Sequence, residues 1–224
     1  MNTPWYPYLG WIMAAGLFGF AISFLFAGIF HLPRRIFLIP YVVLSSLFLY
    51  SFIRWSNIPL WELIRHNWAW GLIGAVLLSI FLVKNILSQP ISSRTKGFTL
   101  AFDILWLGVV YGLVDAFLLS VLPVLATWQA FTLLGWTVTW PGKILVGLLA
   151  ILASFLVTAA SHLGYPEYRG KGVIGPVIGN TTMTLGYLLT TNPLAAMLSH
   201  MAMHIAGVIH GPASVVQLPP HYQS

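Results

Sequence analysis

The chain has 224 residues, of which 58% are hydrophobic and only 6% are charged, and its mean hydropathy is +0.88. Soluble domains carry about 25% charged residues, so this composition excludes a water-facing globular surface, and the long apolar runs exclude the short alternating strands of a β-barrel. The chain has no cysteine, which excludes disulfides and thiolate metal sites. Its net charge of +6 comes from basic residues between the apolar runs. In that position they indicate membrane topology rather than a nucleic-acid surface.

These runs predict an all-α protein, a polytopic transmembrane helical bundle of about seven spans (six to eight). The seven apolar segments are Leu9–Phe30, Ile36–Ile53, Trp68–Val83, Phe98–Ala126, Gly142–Ala160, Val173–Leu189 and Asn192–Gly211. Between the second and third, Ser56–Asn67 has the pattern of an interfacial amphipathic turn or helix. In the fourth segment Pro123 is expected to end or kink the helix. The aromatic stretch Trp128–Trp140 is too short for a span and is predicted to be interfacial or re-entrant.

A polar stretch, Asn85–Gly97, is the clearest border within the chain. It separates an N-terminal three-helix transmembrane part, residues 1–97, from a transmembrane core, residues 98–211. The remaining residues, 212–224, contain Pro219 and Pro220 and are predicted to form a loosely ordered tail.

Basic residues are distributed unevenly over the loops. The first, third and fifth loops hold seven of them (Arg34, Arg35, Lys84, Arg94, Lys96, Arg169, Lys171), and the second, fourth and sixth hold three (Arg54, Arg65, Lys143). The positive-inside rule then predicts an external N-terminus and a cytoplasmic C-terminus.

The last apolar segment contains His200 and His204, which are four residues apart and therefore lie on one face of a helix. Imidazoles are costly in hydrocarbon, so both are expected to face the protein interior or a water-filled cavity. Small residues on that face (Ala196, Gly207, Gly211) are expected to let another helix approach closely. The two histidines either hydrogen-bond to neighbouring helices or have a catalytic, metal-binding or cofactor role.

Two further groups lie in or at the end of apolar segments, Asp115 and His162. Asp103 precedes Asp115 by twelve residues, about 18 Å along a helix, so the two aspartates are not a carboxylate pair.

In the sixth segment, Gly175, Gly179 and Gly186 form a stripe that predicts close helix–helix packing.

Three stretches resemble motifs of the CPBP family of intramembrane proteases, which includes CAAX prenyl endopeptidases and the Abi, bacteriocin-processing proteins. The stretch 177–204, VIGNTTMTLGYLLTTNPLAAMLSHMAMH, looks like the Gly-rich helix followed by the final histidine helix. The stretch SFLVTAASHLGY, residues 154–165, is similar to the Phe-x-x-x-His motif, with His162 as its histidine. GLVDAFLLS, residues 112–120, falls where the Glu-Glu-x-x-x-Arg motif belongs. The resemblance covers roughly residues 98–211.

The motifs also differ from the family pattern. A lone aspartate, Asp115, replaces the glutamate pair, Ser120 or Leu119 stands in the arginine position, Thr158 replaces the phenylalanine, and His204 replaces the final asparagine. The resemblance implies a peptidase in which Asp115 is the general base and His162 and His200 polarise the peptide, with His204 as a fourth member or a support.

Four functions therefore remain open from the sequence, the fourth being a transporter that uses Asp115 as a proton relay. The first is a CPBP-like intramembrane peptidase with an altered or lost catalytic motif, which requires no cofactor. The second is a non-catalytic accessory subunit of a membrane complex. The third is a metal or haem protein that uses His200, His204, His162 and Asp115 as ligands. The expected partners are the lipid bilayer and a membrane protein or peptide substrate, and the expected location is the bacterial inner (plasma) membrane.

Overall fold

The computed structural model describes residues 4–221 and confirms the all-α prediction, because it is 82% helical and has no strand among those residues. Eight helices follow one another along the chain. They are α1 (Tyr6–Ile29), α2 (Arg34–Ser56), α3 (Leu60–Arg65), α4 (Trp68–Leu87), α5 (Gly97–Leu133), α6 (Trp140–Leu163), α7 (Ile174–Thr190) and α8 (Leu194–His210).

Five of these helices, α1, α2, α4, α5 and α6, are long and apolar enough to cross a membrane. Helices α7 and α8 occupy the sixth and seventh predicted segments and have 17 residues each, or about 26 Å. The six-residue helix α3 has no buried residue, as expected of the interfacial stretch between the second and third spans. The chain is therefore an integral membrane helical bundle.

Helix α5 is the centre of the bundle. It contacts α1, α2, α6, α7 and α8, and 72% of its most apolar stretch is buried, against 22–39% in the other four long helices. Two segments of it, Ile104–Val110 and Phe117–Val121, are π-helical, and the α-helical turn between them carries Asp115. Such π segments re-aim side chains within a helix and often occur at functional sites.

Pro123 does not end α5, which continues as a helix to Leu133. A proline in a helix cannot donate to the carbonyl four residues earlier, which here belongs to Leu119. That carbonyl instead accepts hydrogen bonds from the side chains of Ser154 on α6 (2.7 Å) and Asn180 on α7 (3.2 Å). The polar groups of neighbouring helices thus satisfy the backbone group that the proline frees.

The prediction of a separate interfacial or re-entrant segment at 128–140 is wrong in its first half. Helix α5 continues to Leu133, because no helix-breaking residue lies between Pro123 and Gly135. Gly135, at φ +77°, then turns the chain, and the exposed aromatic residues Trp136 and Trp140 follow.

Helix α8 lies between α4 and α5 at very short distances, which glycines on those two helices permit. A Cβ added to Gly71 of α4 would lie 2.6 Å from the Asn192 side chain, and one added to Gly108 of α5 would lie 2.7 Å from Ile205. A Cβ at Gly112 would lie 2.8 Å from the Cα atom of Met201. The glycines that permit this close packing of α8 therefore lie on α4 and α5.

The predicted glycine packing stripe of α7 is wrong at two of its three positions. Nothing lies within 4 Å of a Cβ built on Gly175 or Gly179, whereas Gly186 packs tightly against Leu78 of α4. Gly175 and Gly179 instead line a cavity. Gly207 and Gly211 of α8 likewise make room for the tail and for the loop before α5, not for another helix.

The odd-numbered loops and the tail meet at one end of the bundle. Arg34 donates to the carbonyl oxygen of Pro212 (2.6 Å), Arg94 donates to that of Ile209 (2.9 Å), and the backbone of His221 donates to Glu167 (2.9 Å). Residues 212–221 are packed rather than loose, with Val215 and Leu218 fully buried. Asp103 pairs at this end with Arg35 (2.6 Å).

We expect this cation-rich end to face the cytoplasm. A reporter fused after Ser224 should give a cytoplasmic signal, because the odd-numbered loops and the tail lie together and carry seven of the ten basic residues. A reporter inserted in the exposed turn at Gly135 is the matched control and should give the opposite signal. A C-terminal fusion that reads as external would overturn this orientation.

Candidate functional site

His200 and His204 face the protein interior, as their spacing predicts. They are exposed by only 3% and 1%, and their ring centroids are 5.0 Å apart on successive turns of α8. The ring of His204 also packs edge-on against Tyr111 of α5, with a centroid distance of 4.6 Å. Both imidazoles are therefore held in place by the packing of α8 against α5.

The carboxylate of Asp115 lies close to the imidazole rings of both histidines. Its Oδ2 atom lies 3.2 Å from the Nε2 atom of His200 and 3.9 Å from that of His204, and the residue is 6% exposed. The expected approach of the Asp115 carboxylate to His200 is thus present in the structure. One ligand atom from each of the three residues lies within 4.8 Å of the other two.

The other carboxylate oxygen of Asp115 accepts a 2.5 Å hydrogen bond from the hydroxyl of Tyr41, a fully enclosed residue of α2. Sequence analysis missed this residue, because a tyrosine within an apolar span is an ordinary core residue. Its position on the N-terminal side of the predicted border shows that the site draws on both parts of the chain. Tyr41 fixes the orientation of the carboxylate toward the histidines.

His162 lies at the end of α6 and is 9% exposed. Its Nδ1 atom is 2.9 Å from the carbonyl oxygen of Thr158. A carbonyl only accepts, so Nδ1 carries the hydrogen and Nε2 of the neutral ring keeps a free lone pair. His162 does not join the close cluster of Asp115, His200 and His204, but it lines the same cavity.

That cavity has a volume of about 240 Å³, room for several water molecules. All four predicted site residues line it, together with Tyr111, Tyr168 and Asn180. Tail residues Val216, Gln217 and Pro219 form its wall at the cation-rich end.

The cavity also reaches the outer surface of the bundle between α4 and α7. Phe81 of α4 and Ile178 of α7 line it, yet they are 59% and 61% exposed on the surface that would face lipid. Gly175 and Gly179 on α7 lack side chains at this point, which leaves the passage open. The cavity that holds the buried carboxylate and imidazoles is thus lined, between α4 and α7, by residues that are also exposed on the outer surface of the bundle.

A second polar cluster lies beside the cavity and holds α5, α6 and α7 together. The Asn180 amide donates to Thr158 Oγ1 (2.7 Å) and Ser154 Oγ (3.0 Å) and accepts from Ser120 Oγ (2.8 Å). Thr184 donates to Ser120 (3.0 Å). Ser120 and Thr158 are two of the positions that differ from the CPBP motifs, and here both are satisfied within one network. The spacing of Asn180 and Thr184, one helical turn apart, was the available sequence signal for this network.

Two buried tyrosines in the loop after α6, Tyr165 and Tyr168, lie near His162, and Tyr168 also lines the cavity. Burial raises the pKa of Tyr165 and of Tyr168, so both hydroxyls stay protonated at neutral pH. Tyr168 donates to the backbone carbonyl of Val216 and so ties the tail to this loop. The ring of Tyr168 contacts that of His162 edge-on, at a centroid distance of 5.0 Å.

Comparison of the chain with protein-family models, with curated proteins and with solved structures gives no match.

Proposed function

We propose that the chain is a membrane-embedded peptidase of CPBP type with an altered catalytic motif. The observation that carries this proposal is the placement of a buried carboxylate–histidine pair, Asp115 and His200, on a cavity that opens to the lipid-facing surface between α4 and α7. Ionisable groups inside a membrane are costly and usually serve a function. A cavity with a lateral opening gives an apolar peptide a route to them.

Hydrolysis needs a base for water and a means to stabilise the developing negative charge. In this proposal the Asp115 carboxylate takes a proton from the attacking water, whose oxygen bonds to the peptide carbonyl carbon. Asp115 then returns the proton to the leaving amine as the carbon–nitrogen bond breaks. Water and peptide thus give a carboxylic acid and an amine.

The histidines divide the remaining roles. Nε2 of His162 has a free lone pair and can accept a hydrogen bond from the same water, because its Nδ1–H is committed to Thr158. His200, paired with Asp115, stabilises the negative charge that develops on the carbonyl oxygen, and His204 supports this pair from the next turn of α8. The single carboxylate is oriented by Tyr41, where the family has two glutamates.

The peptide substrate enters from the bilayer, and the motif resemblance favours the plasma membrane of a bacterium. A substrate with an apolar segment fits best, because the exposed rim of the opening consists of Phe81 and Ile178. No nucleic-acid role is proposed, because the cations lie in loops at the ends of the spans.

The test is cleavage of membrane-anchored peptides by the purified chain reconstituted in liposomes. Asp115→Asn, which keeps the size of the side chain but removes the base, should lower the cleavage rate about 100-fold or more. Asp103→Asn is the matched control, because Asp103 pairs with Arg35 outside the cavity, and its rate should stay near that of wild type.

Two outcomes would contradict the proposal. Equal cleavage by wild type and Asp115→Asn would show that another protease or another site is responsible. No cleavage of any peptide, combined with co-purification of larger subunits in fixed stoichiometry, would assign the chain to an accessory role.

A further inference from the structure

The cluster of Asp115, His200 and His204 has the composition and spacing of a transition-metal site. A carboxylate oxygen and two imidazole nitrogens are the donor set that zinc and ferrous iron take in three-ligand protein sites. The two histidines come from successive turns of α8, and the carboxylate comes from α5, so two packed helices define the geometry. All three residues are more than nine-tenths buried.

The distances agree with a shared ion. Zinc bonds to imidazole nitrogen and carboxylate oxygen at about 2.0–2.2 Å, so two of its tetrahedral ligand atoms lie roughly 3.4 Å apart. The distances from Asp115 Oδ2 to the Nε2 atoms of His200 and His204 are 3.2 and 3.9 Å, on either side of this value. All three ligand atoms lie within 4.8 Å of one another, so side-chain rotations that shorten the longer separations would bring them into the coordination sphere of one ion.

The charges around the cluster also favour a cation. Within residues 4–221, Asp115 pairs with histidines and with no lysine or arginine. A divalent ion held by the three residues would compensate the charge of the buried carboxylate.

The surroundings of Asp115 match those of a metal-ligating carboxylate, at a site that leaves one coordination position of the ion open. Ligating carboxylates are usually held by a second hydrogen bond, and Tyr41 supplies one to the oxygen of Asp115 that faces away from the histidines. Catalytic zinc sites have three protein ligands and leave the fourth position to water or substrate. Here the adjoining cavity would provide that position, with His162 on its wall.

We propose that Asp115, His200 and His204 bind one divalent first-row transition ion, with Zn²⁺ as the probe. This inference rests on the geometry of the cluster and holds whether or not the chain cleaves peptides. If both proposals hold, the ion would supply the positive charge that activates water, and Asp115 would act as a ligand rather than as the general base.

The experiment measures metal binding directly on the full chain, purified in detergent without a polyhistidine tag. After chelation and dialysis, Zn²⁺ should bind at about one ion per chain and raise the unfolding temperature. Asp115→Asn, His200→Asn and His204→Asn should each weaken binding by more than about tenfold, because loss of even an outer-shell partner costs roughly 10–100-fold in affinity. Replacing Zn²⁺ with Co²⁺ should give visible absorption bands that report the coordination geometry.

His210→Asn is the matched control. His210 lies on the same helix but its Nε2 atom contacts the backbone carbonyl of Gln89, 2.8 Å away and outside the cluster, so Zn²⁺ binding should not change. Tyr41→Phe leaves all three ligands in place, and it should weaken binding about tenfold without altering the stoichiometry. This variant keeps the test informative if a ligand variant fails to fold.

The inference would be overturned by binding well below one ion per chain, or by equal binding in wild type and the three ligand variants. Its failure is distinct from failure of the peptidase proposal. Cleavage that is resistant to chelators but lost in Asp115→Asn would refute the metal and retain the peptidase. Binding of one Zn²⁺ per chain without cleavage of any peptide would support the metal site and refute the peptidase.

Discussion

Gly112→Leu is expected to destabilise the bundle by about 3 kcal/mol or more. A Cβ at this position would already lie 2.8 Å from the Cα atom and 3.2 Å from the backbone nitrogen of Met201, so the helix itself, and not a flexible side chain, would have to move. Overpacking of a core typically costs about 1–3 kcal/mol, and a leucine against backbone should reach at least the upper end of that range. Because α8 would be pushed away from α5, the Asp115–His200 pair would separate as well.

The measurement is thermal unfolding in detergent, together with the yield of monodisperse protein. Gly179→Leu is the matched control, since nothing lies within 4 Å of a Cβ at that position. It should leave the unfolding temperature near that of wild type but obstruct the opening between α4 and α7, which would lower cleavage of membrane peptides. Equal stability of the two leucine variants would mean that α8 does not depend on a close approach to α5.

Asn180→Leu is expected to destabilise the bundle by roughly 2–4 kcal/mol. Hydrogen bonds between helices in membranes average about 0.6 kcal/mol and reach about 1.7 kcal/mol, and the Asn180 amide takes part in several of them with α5 and α6. Leucine has a similar size, so the packing loss is small. It would leave the buried hydroxyls of Ser120 and Thr158 with fewer partners in hydrocarbon.

The readout is again thermal unfolding, now compared with Thr182→Val on the same helix. The Thr182 hydroxyl bonds to the carbonyl oxygen of Ile178 within α7 (2.9 Å) and to no other helix, so its removal should change stability by less than about 0.5 kcal/mol. If the two variants unfold at the same temperature, then Asn180 does not link the three helices.

Some features of the site could be predicted from the sequence, because they depend on local geometry. The spacing of His200 and His204 places both on one face of any helix that contains them, and the cost of an imidazole in lipid directs that face inward. The cost of an unpaired carboxylate in hydrocarbon likewise predicted a histidine partner for Asp115, and its Oδ2 atom lies 3.2 Å from His200. The roles of these residues in catalysis stay predictions.

Other features could not be predicted, because they depend on which helices are neighbours. Tyr41 is 74 residues from Asp115, and nothing in an apolar span distinguishes a tyrosine that holds a carboxylate from one that fills the core. The glycines of α7 had the spacing of a packing stripe, but Gly175 and Gly179 face a cavity because no neighbouring helix reaches them. The prolines of the tail suggested loose structure, whereas burial of Val215 and Leu218 against Gly207 holds it in place.

The sequence by itself determined the class of the protein, the seven apolar helical segments and the inward direction of the ionisable side chains. Each of these follows from composition or from the 3.6-residue period, and both are properties of a short stretch of chain. Only the tertiary structure decided that α8 lies between α4 and α5, that Tyr41 completes the site, and that the cavity opens between α4 and α7. These features arise from contacts between residues far apart in the chain, where the shapes of two helices, rather than the pattern of either one, determine how closely they approach.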